Sequence, residues 1–230
     1  MDKKEILRYL LTRSTVQDEA LNSLIDEIIA EAQQSCTPKS IYRIFDCSVS
    51  EDTLTVCETE FKSRRLAQNL AGCKRVAIMA ATLGTPGDML LRLHSSEGAK
   101  LVTTQAVLAA YIEEVCDGLQ AEIERENNVK TRQRYSPGYF DLDISEQKKI
   151  FELVDITKRC GITLTDSFQM IPTKSVPSAN CSQKLRVARL SCRVCSLHAA
   201  SRKVSCPVLQ SPASRGVMLL MMPPSLASGK

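Results

Sequence analysis

The acidic residues of this chain stop at Asp166. Up to that point it carries 21 Lys and Arg against 26 Asp and Glu, a net of −5. From Ser167 to Lys230 it carries nine Lys and Arg and no acid, a net of +9. Phe168 is the last aromatic residue, and six of the nine prolines follow it, at positions 172, 177, 207, 212, 223 and 224. A sequence broken in this way predicts a mildly acidic folded body with a basic appendage, and the formal +4 of the whole chain describes neither. A length of 230 residues suits one domain with such an extension. The apolar fraction of 43% is enough for a buried core.

Several classes are excluded. Trp is absent and aromatics make up 4%, which argues against a stacking platform for carbohydrate or single-stranded nucleic acid. The acidic body gives no nucleic-acid footprint. No apolar run reaches the ~18 residues of a membrane span. Met1–Leu11 has charges but no apolar run with a small-residue cleavage site. A cytoplasmic protein is expected, with its ten cysteines as thiols rather than a disulfide frame.

Periodicity then places the elements. Residues 16–34 carry Leu21, Leu24, Ile25, Ile28 and Ile29 on one helical face, closed by Pro38. Ile41–Val49 and Thr53–Phe61 read as two strands of a hairpin. Ser63–Ala71 reads as a short helix, and Lys74–Ala81 as a buried strand. A tight turn over Thr82–Asp88 follows, with Pro86 placed to open a helix. A long helix is predicted over 99–126 and a loop over 129–144. Ser145 can cap a helix over 146–159, with Gly161 just past its end. Short strand pieces flank Asp166. The fold class is α/β (α+β), a mixed, largely antiparallel twisted sheet with flanking helices. The expected organisation is an N-terminal helical segment over 1–38, a central domain over 39–176 and a Ser/Pro/Cys-rich tail over 177–230.

Most familiar chemistry is missing. His94 and His198 have no partner pattern for zinc-protease or triad chemistry and read as core or surface histidines. There is no P-loop and no dinucleotide fingerprint. The glycines of Ala81–Gly87 could offer backbone donors to an anion, though a plain turn explains them better. Cys192 and Cys195 form a lone C-x-x-C, with a zinc or redox site as the lesser reading. The six cysteines from Cys36 to Cys160 read as small core residues.

The densest chemical signal is the loop Arg132–Tyr139. Pro137-Gly138 fixes a turn, and Gly138 lets backbone approach a ligand. Arg134 can hold a carboxylate through a bidentate pair. Tyr135 and Tyr139 offer flat faces for a heteroaromatic ring or a small cation. A ligand with a carboxylate, a cationic centre and a purine would use all three. A surface turn stiffened by Pro-Gly, with the tyrosines packed over it, would look the same from spacing alone.

Here the sequence resembles a known family. The motif R-x-x-P-G-Y (134–139), the helix start Ser145-Glu146-Gln147 and the run Gly161–Pro172 resemble the activation domain of vitamin B12-dependent methionine synthase. Small stand-alone members of that family are the nearest likeness, and they share segments like Val76–Gly84 and Ala106–Glu122. The resemblance spans roughly residues 40–176. It implies an S-adenosylmethionine-binding domain that supports reductive methylation of a cobalamin carried by another protein. A flavodoxin-type donor would supply one electron. By motif, Arg134 would hold the methionine carboxylate, and Tyr135 and Ser136 would contribute backbone contacts. Pro137 and Gly138 would shape the turn, and Tyr139 would sit beside the sulfonium or the corrin. Glu113 and Asp117 are candidates for the amino group. The chain has no D-x-H-x-x-G to supply a histidine to cobalt and no Cys/His zinc set in its body. Cobalamin and its carrier, the methionine synthase, would therefore come from a partner, with the chain acting in trans. No catalytic residue, metal site, nucleic acid or membrane is implied.

Past Val176 the resemblance stops. Pro177 and the polar run Ser178–Gln183 are not expected to form a buried central strand. The loss of acids and aromatics near the same place suggests that much of 177–230 is out-of-frame or otherwise aberrant sequence. Two other functions fit the same motifs: a reactivator or binding partner of another corrinoid methyltransferase, and a non-catalytic interaction domain whose P-G-Y loop is only a rigid turn.

Overall fold

A computed structural model of the chain describes residues 1–11 and 18–184, and side chains as far as Asn180. Cys192, Cys195, His198 and the rest of the tail lie outside the described residues. Helix α1 (Lys3–Tyr9) is capped by Asp2, whose carboxylate accepts from the Lys4 N–H. Helix α2 (Glu19–Ser35) is capped in the same way by Asp18 and buries Ile25, Ile28 and Ala32. Strand β1 (Lys39–Val49) follows, then β2 (Thr53–Val56) and β3 (Thr59–Lys62). The single strand expected over Thr53–Phe61 is thus a second hairpin. It turns at Cys57 and Glu58, whose φ values of 47° and 67° suit a two-residue hairpin turn. Neither residue type announces such a turn in sequence.

Helix α3 (Arg64–Asn69) is capped by Ser63, and β4 (Arg75–Thr82) follows it. Helix α4 (Thr85–Leu93) has Pro86 in its first turn, as the sequence predicts. Helix α5 (Gly98–Asn127) is the longest element and ends on Asn128 in the left-handed conformation, φ 48°. The expected loop over 129–144 opens with a short strand, β5 (Val129–Thr131). Asp143, rather than Ser145, accepts the capping hydrogen bond, from the Ser145 N–H, and one 3-10 turn leads into α6 (Gln147–Val154). The helix expected over 146–159 breaks at Asp155, φ 53°, and resumes as α7 (Ile156–Cys160), closed by Gly161 at φ 72°. β6 (Thr163–Leu164) and β7 (Met170–Ile171) form a small ribbon.

The last described strand, β8 (Ser175–Lys184), overturns the expectation for the segment after Val176. The sheet order is β3-β2-β1-β4-β8-β5, and every pairing is antiparallel. β8 is therefore a central strand, despite Pro177. The register explains the tolerance. Pro177 lies opposite Ala80 of β4. Ala179, of the same parity, sends its N–H away from β4, to the carbonyl of Tyr135 at 2.9 Å. The N–H that Pro177 lacks would also point away from β4, beyond that last bridge, where no ladder bond is required.

β4 shows how the core is divided. All of Val76–Thr82 is buried. Ala77, Met79 and Ala81 face a core built with α1, α2, α4 and α5. Val76, Ile78 and Ala80 face a second core with Leu54, Phe61, Leu66, Tyr135, Leu142, Ile150 and Ile156. A strand covered on both faces reads as a continuous apolar run, which is how the sequence reveals it. His94 belongs to the first core. It is 2% exposed, with Nδ1 2.7 Å from Thr104 Oγ1 and Nε2 3.2 Å from Glu31. The expectation of thiols fails at Cys73, which is disulfide-bonded, whereas Cys36, Cys47, Cys57, Cys116 and Cys160 are free. Cys57 is exposed on its hairpin turn rather than buried.

Candidate functional site

The site is built where the segment after β5 runs between β8 and α5. Glu113, Asp117 and Gln120 stand four and three residues apart on α5 and so share one face. Arg134 is aimed at that face. Its Nη2 donates to Glu113 Oε2 at 2.8 Å, and its Nη1 to Asp117 Oδ1 at 2.6 Å and Gln120 Oε1 at 2.9 Å. The Arg134 side chain is 15% exposed, Glu113 29% and Asp117 72%, so the clamp opens to solvent along its Asp117 edge. Burial opposes the guanidinium charge. The hydrogen bond and charge of Asp117, with the charge of Glu113, more than offset it and raise the pKa. Gln120 is itself oriented, because its Nε2 donates to Thr131 Oγ1 at 2.8 Å and frees its oxygen for Arg134.

The turn beside Arg134 is held from the opposite side. Tyr135 and Ala179 exchange both backbone hydrogen bonds, at 3.0 and 2.9 Å. The main chain of Tyr135 is therefore committed to β8. Its ring stacks on Phe140, with centroids 5.7 Å apart, and its hydroxyl donates to Asp141 at 3.3 Å. Asp141 also accepts from the Ser63 hydroxyl at 2.6 Å and the Arg65 N–H at 3.1 Å, which ties the turn to the start of α3. These bonds, the Ser63 hydroxyl first, hold the Asp141 carboxyl below its ordinary range. A carboxyl depressed in the folded state stabilises the fold above its unfolded pKa and loses that contribution as pH falls through the folded value. Asp141→Asn is therefore expected to flatten the loss of stability as pH falls below the ordinary aspartate range, read as the urea midpoint against pH.

Ser136 and Pro137 are buried and Gly138 is exposed. The Ser136 carbonyl accepts from the Tyr139 N–H at 3.3 Å, and the Gly138 N–H donates to the Leu142 carbonyl at 2.8 Å. Gly138 has φ +88°, and a Cβ there would lie 2.9 Å from Ile144 Cδ1. The side-chain end can shift, but the backbone conformation cannot be relieved. Gly138→Ala is expected to cost about 1–2 kcal/mol of stability in urea unfolding. Tyr139 is half-buried, and burial, with the charge of Glu113 second, raises its pKa.

The structure thus brings Arg134, Glu113, Asp117 and the 135–139 turn together. Sequence reasoning missed three contributors. Gln120 was available as the next residue on the acidic face of α5. Asp141 carries no signal by itself. Tyr9, at the end of α1, is remote in sequence yet close enough that Glu113 and Tyr139 act on it. Burial first, then Glu113, pushes its hydroxyl up to about 12. Its Oη is buried with no hydrogen-bond partner among the described residues. Chemically, the arrangement is a cationic fork already paired to two carboxylates, with the Tyr9 and Tyr139 phenols near enough to Glu113 to feel its charge. Among the described residues no group of His, Cys, Asp and Glu could hold a metal ion. No helix among them is long and apolar enough to cross a membrane.

Residues 120–186 match the family model described as vitamin B12 dependent methionine synthase, activation domain. The match starts at Gln120, includes the whole 134–139 motif and runs past Pro177 through β8. No curated protein matches the chain. Among solved structures it is similar to the MetH reactivation domain bound to AdoHcy, with 18% identity and a TM-score of 0.57. That likeness covers 76% of this chain and 68% of the other, and it establishes a shared fold. The segment that carries the motif thus matches that activation-domain family model, and the described fold is shared with the MetH reactivation domain.

Proposed function

We propose that the chain binds S-adenosylmethionine between Arg134, the 135–139 turn and the acidic face of α5, and that it supports reactivation of the cobalamin of a B12-dependent methionine synthase in trans. The observation that carries this reading is the Arg134 clamp with Glu113 and Asp117. A clamp already paired in this way selects its ligand by charge balance. A simple anion that took Arg134 would leave Glu113 without its cation, and a simple amine would leave Arg134 without an anion. An α-amino-acid group brings both charges. Its carboxylate takes the guanidinium fork and its ammonium takes the acids, so no charge loses a partner. In this reading Tyr139, close enough to Glu113 to feel its charge, offers its ring to the nearby sulfonium.

The residues present fit the methyl donor but not the corrinoid. The one described histidine, His94, is buried at the C-terminal end of α4 with both ring nitrogens beside protein partners. In this reading the cobalamin stays on the partner and there supplies the acceptor for the methyl group. In this reading this chain's residues bind and orient the donor. A B12-dependent methionine synthase lacking its own activation domain, inactivated by oxidation, provides the test. Adding this chain, S-adenosylmethionine and a reduced flavodoxin is expected to restore methionine formation. No recovery at saturating chain and donor would reject action in trans.

A further inference from the structure

Beneath the Arg134 clamp lies a polar layer that the proposed site does not use. Tyr135 pairs with Ala179, so Arg134 stands next to Asn180 in register and Ser136 next to Ser178. Tyr135 and Ala179 both belong to the core on the α3 side. Side chains alternate along a strand, which puts Arg134, Ser136, Ser178 and Asn180 on the opposite face, under α5. Two independent observations agree with that placement. Arg134 reaches residues of α5. Asn180 and Ser178 pair across β4 with Ala77 and Met79, which lie in the α5-side core.

Asn180 and Ser178 are both 0% exposed. Neither side-chain atom of the Asn180 amide, nor the Ser178 hydroxyl, has a hydrogen-bond partner among the described residues. A buried amide unpaired among the described residues carries a penalty that an apolar residue of the same size would not incur. Such local violations mark positions kept for function.

We infer that Asn180 and Ser178 are specificity-determining residues for the amino-acid end of the ligand, completing its coordination when Arg134 turns from α5 to the ligand carboxylate. This rests on the S-adenosylmethionine reading above. A carboxylate offers about four lone-pair sites, of which a guanidinium fork fills two. The Asn180 Nδ2–H and Ser178 Oγ–H, on the strand side of Arg134, supply donors for the others. Asn180 Oδ1 then accepts from the ligand ammonium, whose remaining protons go to Glu113.

The test uses the full chain, calorimetric titration and two probes, S-adenosylmethionine and 5′-methylthioadenosine, which lacks the amino-acid end. Asn180→Leu is expected to weaken S-adenosylmethionine binding at least tenfold, to leave the response to methylthioadenosine unchanged, and to raise the melting temperature. A purely structural Asn180 gives the opposite stability result. Unchanged S-adenosylmethionine affinity in Asn180→Leu, or an equal loss for both probes, overturns the inference while leaving the functional reading intact. If the leucine variant does not fold, Asn180→Ala and Ser178→Ala are read for the same selective loss. Failure of the wild-type chain to bind S-adenosylmethionine removes the functional reading and this inference together.

Discussion

Arg134→Ala is expected to weaken S-adenosylmethionine binding by about 2–4 kcal/mol, roughly 30- to 1000-fold in Kd. The loss has two parts. The carboxylate loses a bidentate, charge-assisted partner. Glu113 and Asp117 then face the incoming ligand carboxylate with no cation between them. The same substitution should also lower the melting temperature, because Arg134 is 15% exposed and its loss leaves Glu113, 29% exposed, without its cation. Titration well below the variant's melting temperature separates ligand binding from support of the fold. Arg134→Lys keeps the charge but loses the fork, and should recover only part of the affinity.

Ending the chain after Val176 is expected to abolish cooperative folding, whereas ending it after Arg186 should preserve it. β8 pairs with β4 at seven positions, Ser175↔Thr82 through Cys181↔Val76, and joins β4 to β5. Without residues 177–184 the apolar strand β4 becomes an uncovered edge, and the Tyr135–Ala179 bridge that holds the 135–139 turn is lost. The loss exceeds what a domain stable by about 5–15 kcal/mol can absorb. The unit that ends at Arg186 contains every described strand. Urea unfolding followed by circular dichroism decides it. A cooperative transition in the chain ending at 176 would contradict the central place given to β8.

What the sequence reveals and hides follows from these same residues. β4 was legible because burial on both faces turns Val76–Ala81 into one apolar run. α2 and α5 were legible from long helical periodicity. β8 was not, because its exceptional residues mislead in the same direction. Pro177 argues against a central strand, and Ser178 and Asn180 look solvent-facing. Only the register shows that the missing N–H points where none is needed. The break at Cys57-Glu58 is hidden because neither residue type favours the positive φ it adopts there, and the break at Asp155 because one Asp inside a helical pattern is no signal by itself. β5, with three residues, is too short to carry a pattern.

The candidate site was more legible than the sheet that carries it. The acids at 113 and 117 announce one helix face, and the R-x-x-P-G-Y turn names its partner. What spacing does not tell is that Arg134 pairs with those acids in the free protein. In the proposed reading that pairing makes them one half of an ion pair that an amino-acid zwitterion replaces on both sides. The contributions of Tyr9, Asp141 and Asn180 arise from tertiary contacts between distant segments, and no local pattern encodes them.

The most direct test is calorimetric titration of the full chain with S-adenosylmethionine, run beside Arg134→Ala. The account predicts a saturable heat at one site per chain for the wild type, largely lost in the variant. No heat with the wild type, or equal affinities in the two proteins, would contradict it.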